Sequence, residues 1–515
     1  MKRLLLGILT LISLVPLVLS LVGSFTQPQV QSQLQLLQTD LFLAASEWQP
    51  GAELDGASSL QAIIQQSQPK QNARQQYQQA ADELESYIER LQNRQVLGSS
   101  GLSNLEQDNL ETTEIILDET LSKIITENQN NLEQIQLKLR FLTNDSPINS
   151  LLSADLQPFL TSSDASTKTV ATLLESLKEN TIPDNAASEF QDNLKGWFQW
   201  QALELLYRRH ANLPPTAVCE TPDCQALHTT IQTQAQQSVI KLGVMNGIPL
   251  LLGGAGLILA ITLLVQWGIN PDNAILKTNA DVQWQTPWDW EMIWQVLVVG
   301  FFFSSQILLP GGLVLLGLPV ATFTILEKAI YVFATYAVIA AWGVGTLIVS
   351  LWSFRPLPED WFTLRLNGKS LLWGVGGYLV ALPLVVLISL LNQAFWQGQG
   401  GSNPLLSLAL NSQNSWVLFL FFLTAAVFAP LFEEVLFRGF LLPSLTRYFS
   451  VSTAIVISSL VFAIAHLSLA EILPLFVLGM VLGVTYSRSR NLVASMLLHG
   501  LWNSGTLLSL YLLGS

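Results

Sequence analysis

Beyond residue 240 the chain alternates between apolar stretches and short polar connections. A helix needs about 20 apolar residues to cross the hydrocarbon core of a bilayer. The pattern therefore predicts eight membrane-spanning helices in this half of the chain. They lie near 242–267, 292–318, 329–352, 371–393, 415–437, 451–469, 471–487 and 492–513.

The N-terminus adds a ninth apolar segment. Lys2 and Arg3 precede an apolar run from Leu4 to Leu21, which is typical of a signal sequence or of an uncleaved anchor. No clear cleavage site with small residues follows. The sequence therefore favours an anchor over residues 1–24.

Residues 25–240 have a different pattern, rich in Gln, Asn, Ser and Glu, with apolar residues at helical spacing. Leu84, Tyr87, Ile88 and Leu91 fall on one helix face. We expect a soluble α-helical domain here, without catalytic signatures, that recruits or selects partners. The predicted fold is all-α: a polytopic transmembrane bundle of about eight core helices and an N-terminal anchor, over 1–24 and 241–515, together with this domain.

Composition supports a membrane protein with one polar domain. The chain is 50% hydrophobic and 12% charged, which is too apolar for an ordinary soluble multidomain protein. Residues 25–240 hold 27 acidic and 12 basic residues, a net charge of −15, whereas the rest holds 10 and 12, a net charge of +2. The chain has no concentrated basic face, so nucleic-acid binding is not expected.

Loop charges predict the orientation of the helices. If Lys2 and Arg3 are cytosolic, the other basic loops fall on the cytosolic side, as the positive-inside rule requires. These loops carry Arg355, Arg365, Lys369, Arg447, Arg488 and Arg490. The domain at 25–240 then lies outside the cytosol. The expected location is a bacterial plasma membrane or an internal membrane.

Both cysteines, Cys219 and Cys224, lie in one short polar loop. Outside the cytosol a disulfide between them is the natural interpretation. A zinc site that uses His210 or His228 and a pair of free thiols remain alternatives, although the spacing fits no strong zinc-ligand pattern.

Ionisable residues cluster at the end of the apolar run 416–430. Glu433 and Glu434 are adjacent, and Arg438 follows four residues after Glu434. Charged groups at membrane depth are costly and usually mark functional sites with internal partners. Glu434 and Arg438 share a helix face and are expected to pair. Glu433 lies about 100° away around the helix and is predicted to face His466.

Two of the four histidines lie in the following apolar segments. His466 comes four residues after Phe462, and His499 comes four residues before Asn503. Three helices thus each present a polar stripe that a bundle can bring to one interior site. Each stripe also has a structural interpretation, because Glu–Arg clamps and His–Asn bonds between membrane helices are common.

The three motifs together resemble those of the CPBP intramembrane protease family. This family includes the CAAX prenyl endopeptidases and the bacterial Abi proteins linked to bacteriocin self-immunity. The resemblance covers about residues 290–513, with its motifs in 433–503, and leaves residues 25–240 outside it.

The resemblance implies hydrolysis of peptide bonds inside the membrane. Glu433 would activate a water molecule with help from His466, and His499 and Asn503 would stabilise the oxyanion. Glu434 and Arg438 would hold the helix end. The family has also been described as metalloproteases, in which Glu433, His466 and His499 would bind zinc. The cofactor is therefore either none or zinc, and the metal-free mechanism is favoured.

The expected partners are the lipid bilayer and a membrane-associated protein or peptide substrate. Nothing in the sequence shows whether that substrate is prenylated. Two non-proteolytic hypotheses remain. One is a membrane scaffold or bacteriocin-immunity-type protein, and the other is a transporter in which Glu433 and His466 relay protons.

Overall fold

A computed structural model describes residues 1–25, 31–50, 57–101, 111–142, 151, 154–213, 221–396, 399–402, 404–410, 412 and 414–514. It is 83% helical, and no strand occurs in these ranges. The chain divides into two compact units, one formed by Met1–Val30 with Val244–Ser515 and the other by Gln31–Gly243. The predicted all-α fold is confirmed.

The first ten helices cover the N-terminal part of the chain. They are α1 (Lys2–Ser24), α2 (Gln31–Ser46), α3 (Ala57–Gln66), α4 (Pro69–Gly101), α5 (Glu111–Phe141), α6 (Gln157–Leu160), α7 (Ala165–Glu179), α8 (Ala186–Asn193), α9 (Gly196–His210) and α10 (Pro222–Leu242). Helices α2–α10 form the unit Gln31–Gly243 around buried side chains such as Phe141, Leu174 and Phe198. As the spacing predicts, Ile88 and Leu91 are buried and pack with Leu84 and Tyr87.

A partly buried polar network connects α2, α4 and α5 in this unit. The Tyr77 hydroxyl donates to Asp40 Oδ1 at 2.5 Å, and Lys138 Nζ lies 3.3 Å from Asp40 Oδ2. Burial and the neighbouring Asp40 carboxylate raise the pKa of Tyr77 well above its ordinary value. Tyr77 therefore stays a neutral donor, and the network contributes to the packing of this bundle.

Cys224 is fully buried near the start of α10, which Thr221 caps by accepting the Cys224 N–H. Cys219 lies outside the described residues. The pairing of the two cysteines therefore stays a prediction.

The second half of the chain contributes the remaining helices. They are α11 (Ile248–Ile269), α12 (Trp290–Leu297), α13 (Leu309–Leu315), α14 (Ile325–Leu351), α15 (Gly368–Trp396), α16 (Pro404–Leu410), α17 (Ser415–Phe422), α18 (Ala429–Glu433), α19 (Leu442–Leu445), α20 (Val451–Ile464), α21 (Leu469–Ser489) and α22 (Leu492–Gly514).

Within the described residues, seven helical segments are long and apolar enough to cross a membrane. They are Lys2–Ser24, Pro222–Ile269, Trp290–Leu315, Ile325–Phe354, Gly368–Trp396, Ser415–Leu445 and Leu469–Ser489. The chain is therefore a multi-pass membrane protein.

The structure differs from two of the nine predicted spans. Helix α20 ends at Ile464 rather than near 469. Its 14 residues measure about 21 Å, less than the hydrocarbon thickness. Helix α22 is 23 residues long, but polar residues such as His499 and Asn503 interrupt its apolar character. The chain turns after α20 because Leu467 adopts φ +59° and the Ser468 hydroxyl donates to the Gly401 carbonyl at 3.1 Å.

Prolines explain most of the wide helical turns in this unit. The described residues contain five π-helical stretches: Gly243–Gly247, Val298–Phe302, Ser304–Leu308, Leu423–Phe428 and Glu434–Leu441. In four of them the second residue after the stretch is a proline, namely Pro249, Pro310, Pro430 and Pro443. Proline has no N–H to donate and its ring crowds the carbonyl four residues earlier, so the preceding turns widen.

The predicted basic loops lie at one end of the bundle. The Arg447 guanidinium donates to the Thr286 carbonyl at 3.1 Å, and the Arg490 guanidinium lies 3.5 Å from the centre of the Trp284 ring. Asn491 donates its side-chain amide to the Arg365 carbonyl at 2.5 Å. The basic loops therefore share one face, as positive-inside topology requires. Which compartment that face contacts stays a prediction.

Gly256 permits a close contact between α11 and α15. A Cβ atom at this position would lie 1.8 Å from the Leu379 carbonyl oxygen on α15. We expect Gly256→Ala to force α11 away from α15 and to destabilise the fold by about 1–3 kcal/mol. Gly254→Ala is the matched control, since a Cβ there has no neighbour within 4 Å. Thermal unfolding of both variants in detergent measures the difference, and equal stability would contradict this packing.

Candidate active site

The two adjacent glutamates lie where α18 passes into the π-helical stretch Glu434–Leu441. Glu434 is 0% exposed and Arg438 is 1% exposed. Arg438 Nη1 donates to Glu434 Oε1 at 2.8 Å, and Nη2 donates to the Gly479 carbonyl at 3.2 Å. The structure thus forms the expected Glu434–Arg438 pair and ties it to α21.

His499 joins this pair from α22. Its Nδ1 lies 3.0 Å from Glu434 Oε1, and the side chain is 3% exposed. An ionised carboxylate only accepts hydrogen bonds, so Nδ1 carries the proton. Glu434 therefore fixes the orientation of the ring and leaves Nε2 3.9 Å from Glu433 Oε2.

Glu433 has different surroundings from Glu434. Its Oε1 accepts a hydrogen bond of 3.0 Å from the Tyr336 hydroxyl on α14. Its Oε2 has no hydrogen-bond partner, and the side chain is 14% exposed. Glu434 also has one oxygen without a partner, but that side chain is sealed from solvent. Glu433 Oε2 is therefore a buried acceptor without a hydrogen-bond partner, on a side chain that is partly exposed.

His466 does not contact Glu433, contrary to our expectation. It follows the end of α20, and its Nδ1 lies 2.9 Å from the Phe462 carbonyl. Because a carbonyl accepts, Nδ1 is the donor and Nε2 is left free. No hydrogen bond or ion pair joins His466 to Glu433, since the early end of α20 turns His466 into the following loop. The imidazole nearest to Glu433 Oε2 is that of His499.

Phe462 connects the separate parts of the cluster. The Arg438 guanidinium lies 4.3 Å from the centre of its ring. The rings of His466 and His499 pack against it edge-on, with centroid distances of 4.9 and 5.8 Å. Phe462 is itself 0% exposed, so it forms a shared apolar wall beside both imidazoles.

Asn503 lies one turn beyond His499 on α22. Its side-chain amide donates to the Ala425 carbonyl at 2.6 Å. Ala425 belongs to the π-helical stretch Leu423–Phe428, where widened turns leave carbonyls in need of donors. Asn503 therefore fastens α22 to the helix that carries both glutamates, and it retains a second amide hydrogen.

Helices α20 and α21 pack closely against each other next to the site. A Cβ atom at Gly479 would lie 3.0 Å from Ser459 Cβ, and one at Gly483 would lie 2.9 Å from Ile455 Cγ2. Small residues four apart allow such an approach between membrane helices. This approach brings the Gly479 carbonyl within reach of Arg438.

The proposed zinc ligands do not gather into a metal site. Over the described ranges, no group of three or more His, Cys, Asp or Glu side chains could hold a metal ion. His499 uses Nδ1 to bind Glu434, and its Nε2 is 3.9 Å from Glu433. Zinc needs ligand atoms about 2 Å from the ion. Glu433, His466 and His499 therefore do not fit a zinc site in this arrangement.

Tyr336 is the residue of this cluster that sequence reasoning missed. It lies 97 positions before Glu433, in an apolar helix with no acidic or histidine motif. A hydroxyl-bearing aromatic residue within a predicted span is a weak signal, because Tyr is common in membrane helices. The contact between Arg438 and the Gly479 carbonyl was also missed, because a sequence does not show which backbone carbonyls accept side-chain hydrogen bonds.

Comparisons with known proteins agree with this architecture. Residues 414–505 match the family model described as "Type II CAAX prenyl endopeptidase Rce1-like". These residues are therefore similar to the Rce1-like family. The matched segment runs from α17 to α22 and contains both glutamates, Arg438, both imidazoles of the site and Asn503.

The chain is also similar to a Bacillus subtilis (strain 168) protein named "Putative membrane peptidase YdiL". The two are 25% identical over 176 residues, which is 31% of this chain and 66% of the relative. The chain thus spans slightly less than two thirds of the relative's length. No solved structure matches the chain. The resemblance predicted from the motifs is confirmed.

Proposed function

We propose that the chain is an intramembrane endopeptidase that hydrolyses peptide bonds of membrane-associated proteins, with Glu433 as its general base. The observation that carries this proposal is the buried, unpartnered Oε2 of Glu433, 3.9 Å from Nε2 of a buried imidazole. Hydrogen bonds of about 2.8 Å from one water to both atoms would enclose an angle of about 90°. A water molecule admitted between the two atoms would therefore lie next to a proton acceptor.

In the proposed reaction, Glu433 Oε2 takes a proton from the water as its oxygen attacks the scissile carbonyl carbon. The carbonyl oxygen becomes an oxyanion, which His499 stabilises by donating from a protonated Nε2. The carbon–nitrogen bond then breaks, and the leaving amine receives the proton held by Glu433. Glu433 returns to its ionised form.

Glu434 and Arg438 have supporting roles in this proposal. The carboxylate of Glu434 accepts from Nδ1 of His499 and fixes the orientation of the ring, as in other carboxylate–imidazole pairs. Arg438 balances the charge of Glu434 inside an apolar site. Asn503 contributes its second amide hydrogen to the oxyanion, and His466 helps to orient the water through its free Nε2.

We infer that the substrates are membrane-associated proteins or peptides. The Rce1-like match supports a CAAX-type endopeptidase, and the helices that surround Glu433 support access from within the bilayer or from the face with the basic loops. Prenylation of the substrate is a separate question from cleavage. The same assay with prenylated and unmodified forms of one peptide decides it.

Cleavage by the purified chain in proteoliposomes tests the proposal. Membrane-anchored peptides are incubated in water enriched in oxygen-18, and the products are read by mass spectrometry. A general-base mechanism adds one atom of the heavy isotope to each new carboxylate. Absence of any cleavage across a broad peptide library would contradict the proposed function.

Substitution of His499 gives a further prediction. His499→Ala removes the donor nearest to Glu433 and should lower kcat by about a hundred- to a thousandfold. The matched control is His228→Ala, which changes an exposed histidine in the unit Gln31–Gly243. Wild-type kcat for His499→Ala would show that this imidazole has only a structural role. The scaffold hypothesis would then be favoured.

A further inference from the structure

Tyr336 makes a contact that the proposed reaction does not yet use. The residue lies in the middle of α14, and its hydroxyl donates to Glu433 Oε1 at 3.0 Å. Its ring packs edge-on against Phe432, the neighbour of Glu433, at a centroid distance of 6.2 Å. Helix α14 thus contributes a contact to the carboxylate that is separate from that of α22.

The two adjacent glutamates are held by groups of different charge. Glu434 binds the Arg438 cation and the His499 imidazole, so its charge is paired. Glu433 is held on one oxygen by a neutral phenol, which supplies a donor without a balancing charge. A phenol therefore fixes one oxygen of the carboxylate without neutralising its charge.

The hydrogen bond also makes the two oxygens of Glu433 unequal. Oε1 is occupied by Tyr336, whereas Oε2 is unpartnered and lies 3.9 Å from His499 Nε2. A glutamate side chain has three rotatable bonds and would sample several positions if it were free. One hydrogen bond together with packing on Phe432 restricts it to the rotamer that presents Oε2 to the imidazole.

We propose that Tyr336 is a positioning residue for Glu433, which holds Oε1 so that Oε2 becomes the oxygen that accepts the proton from water. This inference rests on the proposed function, because it assigns the reacting atom of the same carboxylate. It adds α14, outside the Rce1-like segment 414–505, to the elements that build the site.

Tyr336→Phe tests the inference, since it removes the hydroxyl and keeps the ring on Phe432. A hydrogen bond to a charged group contributes about 1.5–3 kcal/mol, so we expect kcat to fall about 10- to 100-fold. KM should stay within about twofold, because the hydroxyl acts on Glu433 rather than on the substrate. Tyr331→Phe, on the same helix, is the matched control and should keep the wild-type kcat.

Three outcomes, two in the kinetics and one in the thermal stability, would overturn the inference. An unchanged kcat would show that the hydroxyl does not act on the reaction. A raised KM with an unchanged kcat would place Tyr336 against the substrate. A fall in activity that follows a loss of thermal stability would make the residue structural. If the wild-type chain itself cleaves nothing, the proposed function fails instead.

A second measurement does not depend on cleavage. A hydrophobic carbodiimide reacts with carboxyl groups in membrane helices, and mass spectrometry of the peptide that contains Glu433 measures the extent of labelling. We expect Tyr336→Phe to raise the labelling rate of Glu433 several-fold, because Oε1 is released, and Tyr331→Phe to leave it unchanged. Equal rates in the wild type and in Tyr336→Phe would overturn the positioning role.

Discussion

Glu433→Gln should abolish peptide-bond cleavage and lower kcat by about a thousandfold or more. Glutamine has nearly the same shape as glutamate, and its carbonyl oxygen still accepts the hydrogen bond from Tyr336. It cannot take a proton from water at neutral pH, so the loss falls on the chemical step. Cleavage of a membrane-anchored peptide in proteoliposomes, followed under single-turnover conditions, measures the effect.

Stability separates this result from misfolding. Glu433 has no arginine or lysine partner among the described residues, and its Oε2 lies as far as 3.9 Å from His499 Nε2, so Glu433→Gln should unfold within about 1 kcal/mol of the wild type. Glu359→Gln, in an exposed loop, is the matched control and should keep full activity. Wild-type cleavage by a folded Glu433→Gln protein would remove Glu433 from the mechanism.

Arg438→Met should have the largest effect on stability. Glu434 is 0% exposed and has Arg438 as its cationic partner, so removal of Arg438 leaves a buried carboxylate with an unbalanced charge. Breaking a buried ion pair in this way costs about 3–5 kcal/mol. We expect a large fall in thermal stability in detergent and little folded protein in the membrane.

A double substitution tests the physical reason for this loss. Glu434→Gln combined with Arg438→Met removes both charges and keeps a side-chain oxygen near His499. We expect it to recover most of the stability lost in Arg438→Met, because no uncompensated charge remains. If Arg438→Met alone is as stable as the wild type, the buried pair does not stabilise the site.

Local spacing in the sequence predicted the contacts within one helix. Glu434 and Arg438 are four apart, and this separation keeps two side chains on one face. The same reasoning separated Glu433 from Glu434, and the two do bind different partners. The all-α fold followed from the lengths of the apolar stretches, because length is the main requirement for crossing a bilayer.

Contacts between helices could not be predicted in the same way. The choice between His466 and His499 as the neighbour of Glu433 depends on where α20 ends, and that end is set by the turn at Leu467 and Ser468. Widened turns before Pro430 and Pro443 also shift side chains away from the positions of a regular helix. Such shifts depend on packing that periodicity does not record.

The contact between Tyr336 on α14 and Glu433 could not be predicted from the sequence either. The partner of Tyr336 lies 97 residues away, and the rotation of α14 against α18 decides whether the hydroxyl meets Glu433 or lipid. Gly343 contributes to this rotation, since a Cβ there would lie 2.7 Å from the Phe432 ring. A glycine in an apolar helix does not by itself reveal which neighbour it accommodates.

New protein termini in membranes test the central claim most directly. Membranes from cells that produce the wild-type chain or Glu433→Gln at equal levels are compared by mass spectrometry of protein ends. The account predicts a set of new termini, within or beside membrane segments of other proteins, that occurs only with the wild type. Identical termini in the two samples, with both proteins folded, would contradict the claim that Glu433 drives proteolysis in the membrane.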